Sequence, residues 1–330
     1  MKRKSRKVKQ LSLTVIAPCF NEEQVLPLYW RRLRQVFGEM ESRGLWPSLI
    51  LVDDGSDDGT WEEIERICRQ DRRVKGFSFS RNFGHAAALT CGYRMAGGDA
   101  VVSMDCDLQD PPELIPDMVK AWQGGAKIVY ARRKTRRQDT WFKRVTAAVF
   151  YRLFRCLTGV QALGQVGDFR LLDRVVVEAL NAMGEKGRYF RGLVAWTGFR
   201  SEIVEFDRPG RAAGVSKYPL RKMFEFAHRG ISSFTTLPLY LGLVLGFLLM
   251  GVIVFYLAYA LVAHWFFEAT FERGWLSLLL AQIFIGALLF LCIGMVGVYV
   301  AHLFGEAKSR PDYLVVHKAG GPGNAKGARI

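Results

Sequence analysis

Apolar positions in residues 11–130 fall into short runs that alternate between two periods. "LSLTVIAP" (11–18), "SLILVDDG" (48–55), "VKGFSFS" (74–80) and "DAVVSMDCD" (99–107) are brief, β-branched stretches bounded by polar residues, which predicts strands. Between them, "NEEQVLPLYWRRLRQVFGEME" (21–41), "GTWEEIERICRQ" (59–70) and "HAAALTCGYRMA" (85–96) carry helical spacing, and Asn21 is placed to cap the first helix. Strand–helix alternation of this kind predicts an α/β fold, a mostly parallel sheet with helices on both faces. Ligands of such sheets bind beyond the carboxyl ends of the strands.

The pattern changes after residue 230. No charged residue occurs from Gly230 to Ala263 or from Gly274 to Ala301. Each run exceeds the roughly 20 apolar residues that cross a bilayer core. The linking "HWFFEATFER" (264–273) is short, whereas Arg221, Lys222 and Arg229 precede the first run and Lys308 and Arg310 follow the second. The positive-inside rule then puts both termini in the cytoplasm. Two further segments, 141–157 and 217–234, interleave aromatic and basic residues at helical spacing. They suit either a headgroup boundary or packing against the globular part. The expected organisation is a basic arm (1–10), a cytosolic α/β domain (11–216) and a juxtamembrane helix (217–234). Two membrane helices (235–263 and 275–303) follow, joined by an external loop (264–274), and a cytosolic tail (304–330) ends without structure in "HKAGGPGNAKGARI".

Charge and cysteine usage narrow the partners. A formal charge of +15 favours an anionic partner, yet no groove-reading motif accompanies it and much of the basic density lies near the apolar runs. Membrane lipid is the simpler partner, and nucleic acid is not expected. The six cysteines have no C-x-x-C pairing or metal-ligand spacing, as in a reducing compartment.

The chemistry collects at the strand ends. Asn21, Glu22 and Glu23 follow the first, Asp53 and Asp54 the second, and Asp105, Asp107 and Gln109 the fourth. Turn preference explains "DDGSDDGT" alone, but not acids at three edges of one sheet. Carboxylates so placed repel unless solvent, an arginine or a metal ion lies between them. No G-x-G-x-x-G or Walker A sequence supplies a phosphate cradle.

Taken together, "APCFNEE", "VDDGSDDGT", "SRNFGHAAALTCGYRMAGGDAVVSMDCDLQDPPELIP", "GDFRLLDR" and "RAAGVSKYPLRK" resemble the inverting nucleotide-sugar glycosyltransferases that charge polyprenyl phosphate. That family includes dolichol-phosphate mannose synthase, and the two-span anchor is similar to its bactoprenol glucosyltransferase group. The resemblance implies a glycosyltransferase-A-type, Rossmann-like fold at the cytoplasmic face of a bacterial inner membrane. It assigns Mg²⁺ or Mn²⁺ to Asp105, Asp107 and Gln109, with Asp107 also counted catalytic. Pro18, Asn21, Glu22, Asp53, Asp54 and Arg81 would bind the nucleotide sugar, and His85 would border it. Arg132, Arg170, Arg211, Ser216 and Lys217 would bind the acceptor phosphate. Asp168 would act there as a base or as the group that orients Arg170; an anionic phosphate nucleophile favours the second. Cys106 stands where the family has a small residue between the two acids, and strand alternation turns it away from the metal. Asp110, ahead of two prolines, reads as a helix cap.

The implied reaction carries a hexose, with UDP-glucose favoured, to undecaprenyl phosphate for surface polysaccharide modification. GDP-mannose and amino-sugar donors use the same motifs. A non-catalytic membrane scaffold is the alternative of another class, and the intact acids oppose it. A homo-oligomer is a further partner of this kind of anchor, where Gly242, Gly246, Gly251, Gly294 and Gly297 would permit close helix packing.

Overall fold

The computed structural model describes residues 10–134, 166–206, 274–308 and 310–321, with separate helical positions between 244 and 262. They belong to two compact units. The residues up to 206 together with 311–321 make the first, and those from 244 to 310 the second.

The first unit opens with the expected alternation: β1 (Leu11–Cys19), α1 (Leu26–Ser42), β2 (Leu45–Asp53), α2 (Thr60–Gln70), β3 (Val74–Phe79), α3 (His85–Met95) and β4 (Ala100–Ser103). It continues with α4 (Ile115–Gln123), β5 (Ile128–Arg133), β6 (Val166–Asp173), α5 (Arg174–Ala182), α6 (Phe190–Trp196) and β7 (Ser201–Phe206). After helix α7 (Trp275–Ala307) of the second unit comes β8 (Val315–Ala319). The sheet order is β7-β5-β6-β4-β1-β2-β3-β8. The pairs β1–β2, β1–β4, β2–β3 and β5–β7 are parallel, whereas β6 runs antiparallel to both β4 and β5, and β8 antiparallel to β3. The sheet is therefore mixed rather than simply parallel.

Strand alternation builds two apolar layers. Leu13, Val15, Ala17 and Cys19 of β1 join a core with α1, α2 and α4, to which α1 gives Leu26, Tyr29, Trp30, Leu33, Val36, Phe37 and Met40 at helical spacing. Each large side chain so buried contributes roughly 1.5–3 kcal/mol. On the other face, Ile16 meets α3 so closely that a Cβ at Gly92 would stand 3.0 Å from it, and glycine there lets the helix seat.

Three expectations are corrected. Asn21 does not cap α1, which starts at Leu26 after Val25; it takes a left-handed φ of 56° and its Oδ1 accepts the Asp57 N–H at 3.0 Å. Asp110 caps no helix: its side chain is buried, and the short 3₁₀ turn Pro112–Leu114 has no side-chain cap. The tail is not unstructured from His317 on, because His317, Lys318 and Ala319 are strand residues paired with β3.

In the second unit, α7 has 33 residues, about 50 Å at 1.5 Å each. An 18-residue window of its segment Phe284–Ala307 has a mean hydropathy of 2.5, and none of that window is buried within the chain. Among the described residues it is the one helix long and apolar enough to cross a membrane. Most of the first apolar run, its linking loop 264–273 and the segments 141–157 and 217–234 lie outside the described residues.

Candidate active site

Register brings the motif acids together. Antiparallel pairing sets Ser103 opposite Arg170, and two further residues along each strand put Asp105 opposite Asp168. On the other side of β4, Ile16 pairs with Ser103 in parallel, which carries Pro18 to the level of Asp105. The "GDFR" motif thus acts as a strand inserted beside β4, and Ser103 Oγ fixes it by donating to the Asp168 carbonyl at 2.6 Å.

Asp168 sits between two arginines and a histidine. Arg170 Nη2 donates to its Oδ1, Arg191 Nη2 to its Oδ2 at 3.0 Å, and His85 Nε2 is 3.8 Å from Oδ2. Burial opposes the charge, but Arg170 and then Arg191 outweigh it and hold the carboxyl down at about 2. Arg170 itself is 0% exposed and donates also to the Phe190 carbonyl at 3.2 Å. That burial leaves Arg170 no surface for a phosphate. Arg191, at the start of α6 and 37% exposed, has that surface. Sequence reasoning missed Arg191, which lies outside every recognised motif; only the fold brings it within reach of Asp168.

Asp105 keeps 47% of its side chain open, yet the surroundings push its carboxyl up: burial first, then the charges of Asp168 and Asp107, against His85. His85 Nε2 lies 3.8 Å from Asp105 Oδ1 as well, so one imidazole at the start of α3 stands between the two acids. Glu22 is raised too, by burial and then by Asp107. Asp110, beneath the pair, is raised to about 7 by burial and by Asp105 and Asp107. The negative charge gathered here exceeds what the nearby cations offset.

The donor set suits a hard dication, since carboxylate oxygens are what Mg²⁺ and Mn²⁺ prefer. Asp105 and Asp107 both line the cleft, on a turn that Leu108 closes with a φ of 61°. Gln109 is tied in through its backbone N–H to Asp107 Oδ1 at 3.0 Å, while its side chain is not among the groups lining the cleft. Among the described residues no group of three or more His, Cys, Asp or Glu side chains has metal-binding spacing. A dication here would draw much of its coordination from water and diphosphate oxygens. Cys106 is buried and its thiol donates to the Pro18 carbonyl at 3.2 Å, and the residue also lines the cleft between the two acids.

The acids after β2 are committed to the fold. Asp53 accepts from Ser56 N–H at 3.0 Å, Ser56 Oγ at 2.6 Å and Ser78 Oγ at 2.6 Å, and Asp54 accepts from the Phe83 and Gly84 N–H groups. They shape the cleft wall and fix the loop that presents His85. Arg81 spreads over the Phe83 ring at 4.1 Å beside the opening. Of the acceptor set, Arg132 pairs with Glu205, and Arg211, Ser216 and Lys217 lie outside the described residues.

Pro18, Glu22, Asp54, His85, Asp105 and Asp107 line an acidic basin of about 360 Å³. A second basin of about 590 Å³ adjoins it, sharing Phe20 and Asn82, with Asp53, Ser56, Trp61 and Arg81 in its wall. A D-x-D pair at a parallel strand end, opposed by an antiparallel strand carrying an Asp–Arg clamp, is the layout of a GT-A-like glycosyltransferase. Residues 14–180 match glycosyl transferase family 2, and the chain belongs to that family. It is 39% identical over 307 residues to the uncharacterized glycosyltransferase YkcC of Bacillus subtilis, covering 93% of this chain and 94% of the relative. It is 35% identical to the SfII prophage-derived bactoprenol glucosyl transferase of Shigella flexneri, covering 92% and 97%. A prophage bactoprenol glucosyl transferase homolog of Escherichia coli shares 36% identity, covering 92% and 98%.

Proposed function

We propose that this chain transfers a hexose, with inversion, from a nucleoside diphosphate sugar to polyprenyl phosphate at the cytoplasmic face of a membrane. UDP-glucose is the favoured donor and undecaprenyl phosphate the favoured acceptor. The observation that carries this reading is the clamped Asp168 opposite Asp105. A carboxyl held near 2 is a poor base at neutral pH. A phosphate acceptor needs none, because its oxygen is already anionic.

The residues then divide the work. Bound through Asp105 and Asp107, a divalent cation would neutralise charge on the leaving diphosphate. Asp168 orients Arg170 and Arg191, and Arg191 offers N–H groups to the acceptor phosphate. The phosphate oxygen forms its bond to C1 as the bond from C1 to the diphosphate breaks on the opposite face, and nucleoside diphosphate leaves with the electron pair. Positioning and charge neutralisation supply the rate.

Membrane placement has a topological argument behind it. Because β8 follows α7 in the chain yet pairs with β3, residues before 206 and after 311 must share one side of any membrane that α7 crosses. The number of crossings is then even, and the charge-free run from Gly230 to Ala263 is the candidate for the other. Basic flanks favour the cytoplasm for that shared side.

The relatives named for glucosyl transfer favour glucose. The test is to incubate membranes bearing the protein with labelled UDP-glucose, GDP-mannose and UDP-GlcNAc in turn and measure label in polyprenyl phosphate. Label from UDP-glucose is expected; label from another donor alone reassigns the sugar, and none from any of the three sinks the proposal.

A further inference from the structure

Residues 311–319, beyond the apolar helix, are fastened to the edge of the sheet at several points. Asp312 pairs with Arg94 at 3.2 Å, and the Tyr313 ring stacks on Phe79 with centroids 4.9 Å apart and planes 13° apart. The Leu314 carbonyl accepts from Ser80 N–H at 3.0 Å, and His317 is paired with Ser78. Gly320 closes the strand at a φ of +78°, where a Cβ would meet the Val74 carbonyl oxygen at 2.2 Å. His317 is thereby held in one place.

That place is the larger basin. The His317 ring lies over Trp61 at 5.7 Å with planes 29° apart, and both line the basin with Ser56, Ser78 and Arg81. The acidic basin beside it is where a diphosphate belongs on the reading above. The attached nucleoside must then extend through Phe20 and Asn82 into the larger one. Aromatic faces beside hydroxyl oxygens that can accept and a guanidinium that can donate are what a nucleobase requires, a π-surface for its plane and polar groups for its edge.

We infer that β8 forms a wall of the nucleobase subsite and that His317, backed by Trp61, stacks on the base of the donor. The inference rests on the donor reading and deepens it: the site is complete only with chain from both sides of the apolar helix. Neither the acid motifs nor the match to the family, which spans 14–180, includes this strand.

The test uses the full chain in detergent, titrated with UDP and with GDP by calorimetry, as wild type, His317→Ala and His317→Phe. Stacking is worth about 1–3 kcal/mol per base, so His317→Ala should weaken the preferred nucleotide by at least about 5-fold. His317→Phe keeps a ring and should stay within about 2-fold of wild type, with melting temperatures showing that all three are folded. No loss in His317→Ala, or equal loss in both variants, overturns the subsite while leaving the donor reading intact. Wild-type chain that binds neither UDP nor GDP overturns the donor reading and the subsite with it.

Discussion

Asp105 and Asp168 face each other across β4 and β6, two residues past the last paired position, and His85 Nε2 stands 3.8 Å from a carboxylate oxygen of each. Chemistry and stability pull in opposite directions there. Asp105 is surrounded by like charge and gains little from the fold, so Asp105→Asn should leave the melting temperature unchanged or raise it. Transfer of labelled sugar should fall by about 100-fold or more, the scale on which lost charge stabilisation acts. Full activity in Asp105→Asn would detach this acid from the reaction.

The two arginines on Asp168 should separate cleanly. Arg170 is fully buried, so Arg170→Ala leaves a buried carboxylate with half its partners and should cost about 3–5 kcal/mol of stability. Arg191 is partly exposed, and Arg191→Ala should cost under about 1 kcal/mol while raising the KM for polyprenyl phosphate. Denaturant melts and acceptor titrations measure both. An Arg191→Ala enzyme with unaltered acceptor kinetics would remove that residue from the phosphate site.

Much of this was legible before the fold was seen, for reasons particular elements make plain. β1 to β4 and α1 to α3 have strong periods and polar ends, so their order and the acids at their tips could be read directly. β6 could not be oriented, because eight residues carry no mark of running antiparallel between β4 and β5, and that reversal sets Asp168 against Asp105. β8 hid in a Gly- and Lys-rich tail, since an edge strand made by five partly buried residues needs β3 to exist. Asp53 and Asp54 read as ligands in sequence, and in the fold both line the basins while their oxygens also accept from backbone and hydroxyl donors. Motif reading finds acids; it does not say which of them the fold has already used.

Acid should expose the worth of the clamp. The Asp168 carboxyl sits at about 2 when folded, against about 3.9 for an unperturbed aspartate. Its stabilisation is therefore fully present above about pH 4 and is lost as pH falls toward 2, on the order of 2–3 kcal/mol in all. The melting temperatures of wild type and Asp168→Asn should differ by a constant amount from pH 7 to pH 5 and converge below pH 4. A gap that closes between pH 7 and pH 6 instead would mean that Asp168 titrates near neutrality and could serve as a base.

Removing divalent cations should stop the reaction and leave the fold standing. Glu22, Asp105 and Asp107 line one basin, and after burial the Asp107 charge helps push the carboxyls of Glu22 and Asp105 up, so a dication that enters relieves repulsion the protein otherwise carries. Binding to the folded state alone stabilises by about 2.7 kcal/mol at a concentration 100 times Kd. Adding Mg²⁺ or Mn²⁺ to chelator-treated wild type should raise the melting temperature by a few degrees and restore transfer, whereas an Asp105→Asn/Asp107→Asn variant should gain neither. Equal stabilisation of the double variant would place the ion elsewhere, and undiminished turnover in chelator would leave the two aspartates without the role their position gives them.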